Sequence, residues 1–210
     1  MLAVRRLSLS LFIAVVTASA LSTTVTAEEV DKTLVERIAK EKEDRRACKK
    51  LICDIAQKHL PDGADVACSV VKTWLPDDLK KRILKGRLDW PYGAAQCKAD
   101  IKISRKMLSE VLSPGEHEAK LDKHALSCSL DQKDGKAAYT ISVSVAPIVK
   151  FKDGKAVKVI LNWSDINGSA VTTGAVWSVA TLDNNLGVLE GAAANAVDDF
   201  FGPHCEEVKE

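Results

Sequence analysis

The sequence predicts an α+β protein: an N-terminal helical subdomain packed on an antiparallel sheet, a long C-terminal helix covering the sheet, and disulfides linking the parts. The spacing of apolar residues leads there. It is helical up to Lys85, alternates from Cys97 to Trp163, and is helical again from Val179 to Phe200. The second observation is the cysteines. Cys48, Cys53, Cys68, Cys97, Cys128 and Cys205 are even in number, and no two of them form a C-x-x-C pair. An even set of this kind fits disulfides better than redox or zinc chemistry.

The chain starts with a basic Arg5-Arg6 pair, then a short apolar run over 7–16, then small residues ending in Val25-Thr26-Ala27. This order reads as a signal peptide over 1–27, with Ala18-Ser19-Ala20 as a second cleavage candidate. The apolar run is well short of the ~20 residues that span a bilayer. The expectation is export to the periplasm of a bacterium, or secretion, and a soluble mature chain. That chain divides into a helical subdomain over 28–93 and a sheet with its C-terminal helix over 94–210.

Charge removes one class of partner. Without Arg5 and Arg6 the chain has 28 basic and 29 acidic residues, a net charge of −1. Non-specific nucleic-acid binding needs a strong basic patch, so no nucleic-acid partner is expected.

Taken in order, residues 29–60 read as helix. Val30, Leu34 and Ile38 step by four, the stretch 36–46 is charged and reads as solvated, and from Cys48 the apolar content covers more than one stripe. The second half should therefore be buried on two sides, and Pro61-Asp62-Gly63 ends it. A second helix is read over 64–75 from Val66, Ala67, Val70, Val71 and Trp74. A third is read over 76–85, with Pro76 in its first turn, Asp77 and Asp78 at its positive end and Gly86 after it. Trp90-Pro91-Tyr92 forms an aromatic loop at the subdomain junction.

Alternation then begins. Cys97, Ala99, Ile101 and Ile103 read as a strand, a short helix follows over 105–112, and Leu126, Cys128 and Leu130 alternate again. The clearest strand is 138–151, interrupted by Pro147, where an edge position or a bulge is expected. Val157, Val159, Leu161 and Trp163 form the next strand. A two-residue Asp153-Gly154 turn would put the two apolar sets on opposite faces. A three-residue loop, Lys152-Asp153-Gly154 with Gly154 left-handed, pairs 149 with 157 and brings them together. A bulge at Pro147 would have the same effect. The last element is one helix over 174–201, whose apolar stripe runs through Val179, Leu182, Leu186, Leu189, Val197 and Phe200.

Cys48 and Cys53 sit about 140° apart on one helix and cannot bond each other. The preferred pairing is Cys53–Cys68, Cys48–Cys97 and Cys128–Cys205; the second choice has Cys48–Cys68 with Cys53–Cys97.

Chemistry-bearing motifs are scarce. There is no G-x-S-x-G, no S-x-x-K, no H-E-x-x-H and no phosphate-binding glycine loop. No catalytic residue, metal ligand or cofactor is assigned, and His59, His117, His124 and His204 read as ordinary histidines. Asn162-Trp163-Ser164 and Asn167-Gly168-Ser169 match the glycosylation acceptor pattern. Trp90 and Tyr92 are the binding candidates, as an aromatic tip that grips a partner or as a plug between subdomains.

The expectation for function is an exported, non-catalytic envelope protein holding an apolar small molecule, a lipid or a partner protein between helix and sheet. The alternatives are a surface-interaction protein without a pocket, and a hydrolase whose residues converge only in three dimensions. The deciding feature is an apolar cavity between the C-terminal helix and the strand face carrying Tyr139 and Phe151.

Overall fold

The computed structural model describes residues 27–83, 92–132 and 138–209. In chain order these form α1 (Ala27–Gln57), β1 (Val66–Trp74), α2 (Pro76–Ile83), β2 (Ala95–Ile103), α3 (Arg105–Glu110), β3 (Glu116–Lys120) and β4 (His124–Leu130). There follow β5 (Tyr139–Val145), β6 (Ile148–Lys152), β7 (Lys155–Ile160), β8 (Trp163–Gly168), α4 (Ala170–Leu186) and α5 (Glu190–Asp199), and a π-type turn over Phe200–His204. The α+β class holds: helices at both ends enclose antiparallel strands, and three disulfides tie them together.

The strands form two sheets, ordered β1-β2-β4-β5-β8 and β3-β6-β7. Three passages of chain, 116–130, 139–152 and 155–168, each supply one strand to both sheets. The stretch read as a single strand over 138–151 is therefore two strands, β5 and β6, in different sheets. Pro147 has no N–H to give a ladder, so the strand bends there. The neighbouring passages bend alongside it: Leu121 N–H donates to Pro147 O (2.9 Å) and Ala146 N–H to Leu161 O (3.1 Å). At the third bend Asn162 takes a φ of 50°, and its side-chain amide donates to Ala146 O at 2.9 Å.

The segment read as a second helix over 64–75 is β1, paired with β2 from Val66↔Ile103 to Trp74↔Ala95. Its apolar markers Val66, Val70 and Trp74 are four apart, which fits one face of a strand as well as one face of a helix. The β-branched Val66, Val70, Val71 and Thr73 favour strand, and pairing with β2 decides it.

β1 is an edge strand, and α1 lies along it. Unpaired edge groups need partners, and α1 provides them. Thr73 N–H and Oγ donate to the Glu41 carboxylate at 2.8 and 2.9 Å, while Arg45 donates to Val71 O. Glu41 is only 7% exposed. The stretch of α1 read as solvated thus has a buried side. Leu34, Ile38, Glu41, Arg45, Cys48, Ile52 and Ile55 step by four and three without a break, and the two charged members satisfy the strand edge. The second half of α1 is buried on two sides as expected: Cys48, Ile52, Ile55 and Ala56 face the main core, and Cys53 meets Cys205 and Val208.

The turn between β6 and β7 corrects the expected loop. Lys152 pairs with Lys155, so the turn has two residues, Asp153 and Gly154, with φ of 51° and 77°. Positive φ at both centres is the mark of a type I′ turn, and Gly154 is left-handed as expected. Register is restored by a bulge, at Val157 rather than Pro147. Lys150 pairs with Lys158 and Phe151 with Ala156, leaving Val157 extra. Val149 then faces Val159, which is 2% exposed, while Val157 is 58% exposed.

The C-terminal helix is also not continuous. Gly187 adopts the left-handed conformation (φ 63°), its N–H bonds Asp183 O, and α4 ends there. α4 buries Ala180 and Asp183, and polar bonds tie the helix to Trp163. Trp163 N–H and Asn184 Oδ1 meet at 3.0 Å, Asn184 Nδ2 returns to Trp163 O at 3.0 Å, and Trp163 Nε1 donates to Asp183 at 2.8 Å. These bonds turn Val179, Leu182 and Leu186 outward, 45, 51 and 72% exposed, although the pattern placed them on the sheet.

The disulfides are Cys48–Cys68, Cys53–Cys205 and Cys97–Cys128. The preferred pairing fails in all three bonds; from the second choice, Cys48–Cys68 stands. Cys68 faces the main core beside Val66 and Val70 because it lies on a strand, and that is the side Cys48 faces. Cys97 and Cys128 are direct partners in the β2–β4 register, with Cα atoms 4.1 Å apart. The opposite side of α1 leaves Cys53 to the C-terminal tail.

Candidate functional site

α1 packs along β1 and α5 along β7. Between them, over β2, β4 and the Val145 end of β5, is a cavity of about 460 Å³ that opens to solvent. The alternation of strands supplies its floor: Ala99, Ile101 and Ile103 from β2, Leu126 from β4 and Val145 from β5. Beyond the Pro147 bend the wall continues with Val149 and Phe151 from β6 and Ala119 from β3. Helices close the rest, through Ile52 of α1, Met107 and Leu108 of α3, Val197 of α5 and the adjoining Phe200 and Phe201. Phe201 packs edge-on against both Phe151 and Phe200, with ring centroids at 6.2 and 5.3 Å.

Among the described residues, His124 is the one polar side chain in this wall. Its ring is already occupied. Lys102 N–H donates to Nε2 at 3.0 Å, and Nδ1 donates to Asp122 O at 2.5 Å. Backbone pairing of β2 with β4 stops at Ala99↔Leu126, and the His124 ring takes over two residues further along. Nε2 also lies 3.0 Å from Lys102 O, and these contacts leave no ring nitrogen for a substrate.

The cavity is bounded by the part of the 138–151 face carrying Val145, Val149 and Phe151 and by Ala196, Val197, Phe200 and Phe201 of the C-terminal segment; Tyr139, Ile141 and Val143 are not in its described wall. The sequence named Trp90 and Tyr92 as binding candidates. Trp90 falls outside the described residues. Tyr92 is half-buried and packs edge-to-face on Tyr139, centroids 5.9 Å apart, away from the cavity wall.

Among the described residues, no group of three or more His, Cys, Asp or Glu side chains could hold a metal ion. The remaining histidines have separate partners: His59 at Ser109 O (2.9 Å), His117 at Pro114 O (3.1 Å) and His204 at Glu207 (3.3 Å). Several carboxyls titrate below the usual range, each held down first by one lysine: Asp54 by Lys58, Glu118 by Lys120, Asp165 by Lys123 and Glu207 by Lys49. None of these carboxyls lines the cavity. Both glycosylation-pattern asparagines are exposed, but Asn162 uses its amide in the bend.

No protein-family model, curated protein or solved structure matches this chain. What can be said of the site therefore rests on its geometry. Sequence reasoning located the strand face but not the cavity residues on α1 and α3, because which side chains meet across a gap depends on how the bent sheets close. The visible signal was Pro147 in the middle of an otherwise uniform alternation.

Proposed function

We propose that this chain is an exported, non-catalytic binding protein that holds an apolar small molecule or lipid in the cavity between its sheets and helices. The cavity carries the reading. About 460 Å³ lies within the range of roughly 300–1,000 Å³ typical of ligand sites, and the wall is apolar apart from a histidine with both nitrogens engaged. Such a wall has hydrophobic binding energy to offer and no nucleophile, acid or base to perform chemistry. Export is supported by the leader-like residues 1–27 and by all six cysteines being paired, which suits the periplasm or the extracellular space. No described helix is long and apolar enough to cross a membrane.

The test is native mass spectrometry of the full chain from its source, with titration of an environment-sensitive apolar dye such as 1-aminoanthracene. Expected are a co-purifying apolar molecule, or saturable dye binding that Ala99→Phe weakens at least tenfold with thermal unfolding unchanged. Absence of both a bound molecule and saturable dye binding would remove the reading.

A second reading, docking of a partner protein, rests on α4. Its outward stripe of Val179, Leu182 and Leu186 is exposed, and Asp183, its one charged residue, is buried. Substituting Leu182 and Leu186 by Ser leaves dye binding intact under the first reading and abolishes partner capture under the second.

A further inference from the structure

We propose that the ligand is a single-chain amphiphile whose aliphatic chain fills the cavity while its polar head stays in water. This inference rests on the binding reading above and names the ligand class. The first argument concerns the head. A polar group carried into an apolar enclosure must find a hydrogen-bond partner or lose its hydration without compensation. Among the described residues the wall offers none, since both His124 ring nitrogens are engaged by backbone atoms of Asp122 and Lys102. The cavity opens to solvent, so a head group at the opening keeps its water.

The second argument concerns shape. Val145, Pro147, Val149 and Phe151 line the cavity in succession along one passage of chain. The cavity therefore follows that strand round its bend, a contour of roughly 20 Å at ~3.3 Å per residue. A saturated chain turns such a corner by rotating single bonds. A flat fused-ring molecule cannot, and fills only one side of the bend.

The third argument is that recognition by apolar contact alone scales with the length buried. Each added methylene should tighten binding about fourfold, by the usual transfer energy of a buried CH₂.

The experiment is displacement of 1-aminoanthracene from the full-length, disulfide-intact protein by straight-chain carboxylates of ten to eighteen carbons, the matching primary alcohols, and pyrene as a planar competitor. The expected result has three parts. Affinity rises about fourfold per methylene and then levels off, acid and alcohol of equal length agree within about threefold, and pyrene competes more weakly than the best chain. Ala119→Leu, which narrows the cavity beyond the bend, should shorten the optimal chain. Pyrene outcompeting every chain would overturn the amphiphile while leaving the binding protein. So would a tenfold or larger preference between acid and alcohol, or an optimal length unmoved by Ala119→Leu. If neither chain, pyrene nor dye binds, the binding reading itself falls and the amphiphile with it.

Discussion

Glu41 shows how one side chain positions an element. It sits on the buried stripe of α1 and meets the open edge of β1, where its carboxylate accepts from Thr73 N–H and Oγ and, at 3.3 Å, from Gln96 Nε2. Arg37 and Arg45 stand 4.0 and 3.8 Å away on the same helix and offset its charge. Hydrogen bonds to a charged acceptor contribute about 1.5–3 kcal/mol, and a buried donor left unpaired costs a comparable amount. Glu41→Ala is expected to lower unfolding free energy in urea by about 2–3 kcal/mol, and Glu41→Gln by less because one oxygen still accepts. A loss under about 0.5 kcal/mol for Glu41→Ala, the size of an ordinary surface change, would show that Glu41 contributes little to holding α1 on β1. Such a residue is legible only in retrospect. The four-and-three stepping of α1 runs through it, but a carboxylate on a buried stripe looks solvated until the strand edge beside it is known.

At the scale of elements, local chemistry and tertiary geometry divided the work in the β6–β7 hairpin. Asp153-Gly154 is a strong type I′ signal, and the structure uses that turn. The apolar pattern demanded that Val149 and its partners share a face, and this also holds. Both conditions are met because β7 carries an extra residue at Val157. The register makes a plain forecast. Val159→Ala should cost about 2 kcal/mol as a buried truncation, whereas Val157→Ala should stay within about 0.5 kcal/mol, both read from chemical denaturation. Comparable costs at the two positions would restore the three-residue loop. The C-terminal helix teaches the same lesson. Its stripe from Val179 to Phe200 is continuous in sequence, but Gly187 stops α4 and the Asn184–Trp163 amide pair sets its facing.

For the whole molecule, the disulfides define how the layers are joined. Cys48–Cys68 fixes α1 to β1, Cys97–Cys128 ties adjacent strands, and Cys53–Cys205 anchors the tail that follows Phe200 and Phe201. The last bond spans 152 residues. In the chain-entropy account it contributes about 5 kcal/mol, more than either of the others. It also holds one wall of the cavity against α1. Trypsin can cut between every pair of cysteines, so a non-reducing peptide map should give these three linked pairs and no others. A peptide joining Cys128 to Cys205 would break the arrangement. Removing Cys53 and Cys205 together should cost more stability than removing either other pair.

The sequence by itself determined the class of the protein, the approximate places of its helices and most strands, the left-handed Gly154 and the pairing of all cysteines as a set. Those features follow from side-chain periodicity, turn chemistry and composition, which act over a few residues. Three-dimensional packing decided the rest: that 64–75 is a strand, that Pro147 sends one strand into two sheets, which cysteines meet, and that a cavity remains over β2, β4 and β5. Val66, Val70 and Trp74 fit both periods, so only pairing with β2 could choose. The cavity depends on where α1 and α5 come to rest, and that is set by contacts between residues far apart in the chain, such as Glu41 with Thr73 and Cys53 with Cys205.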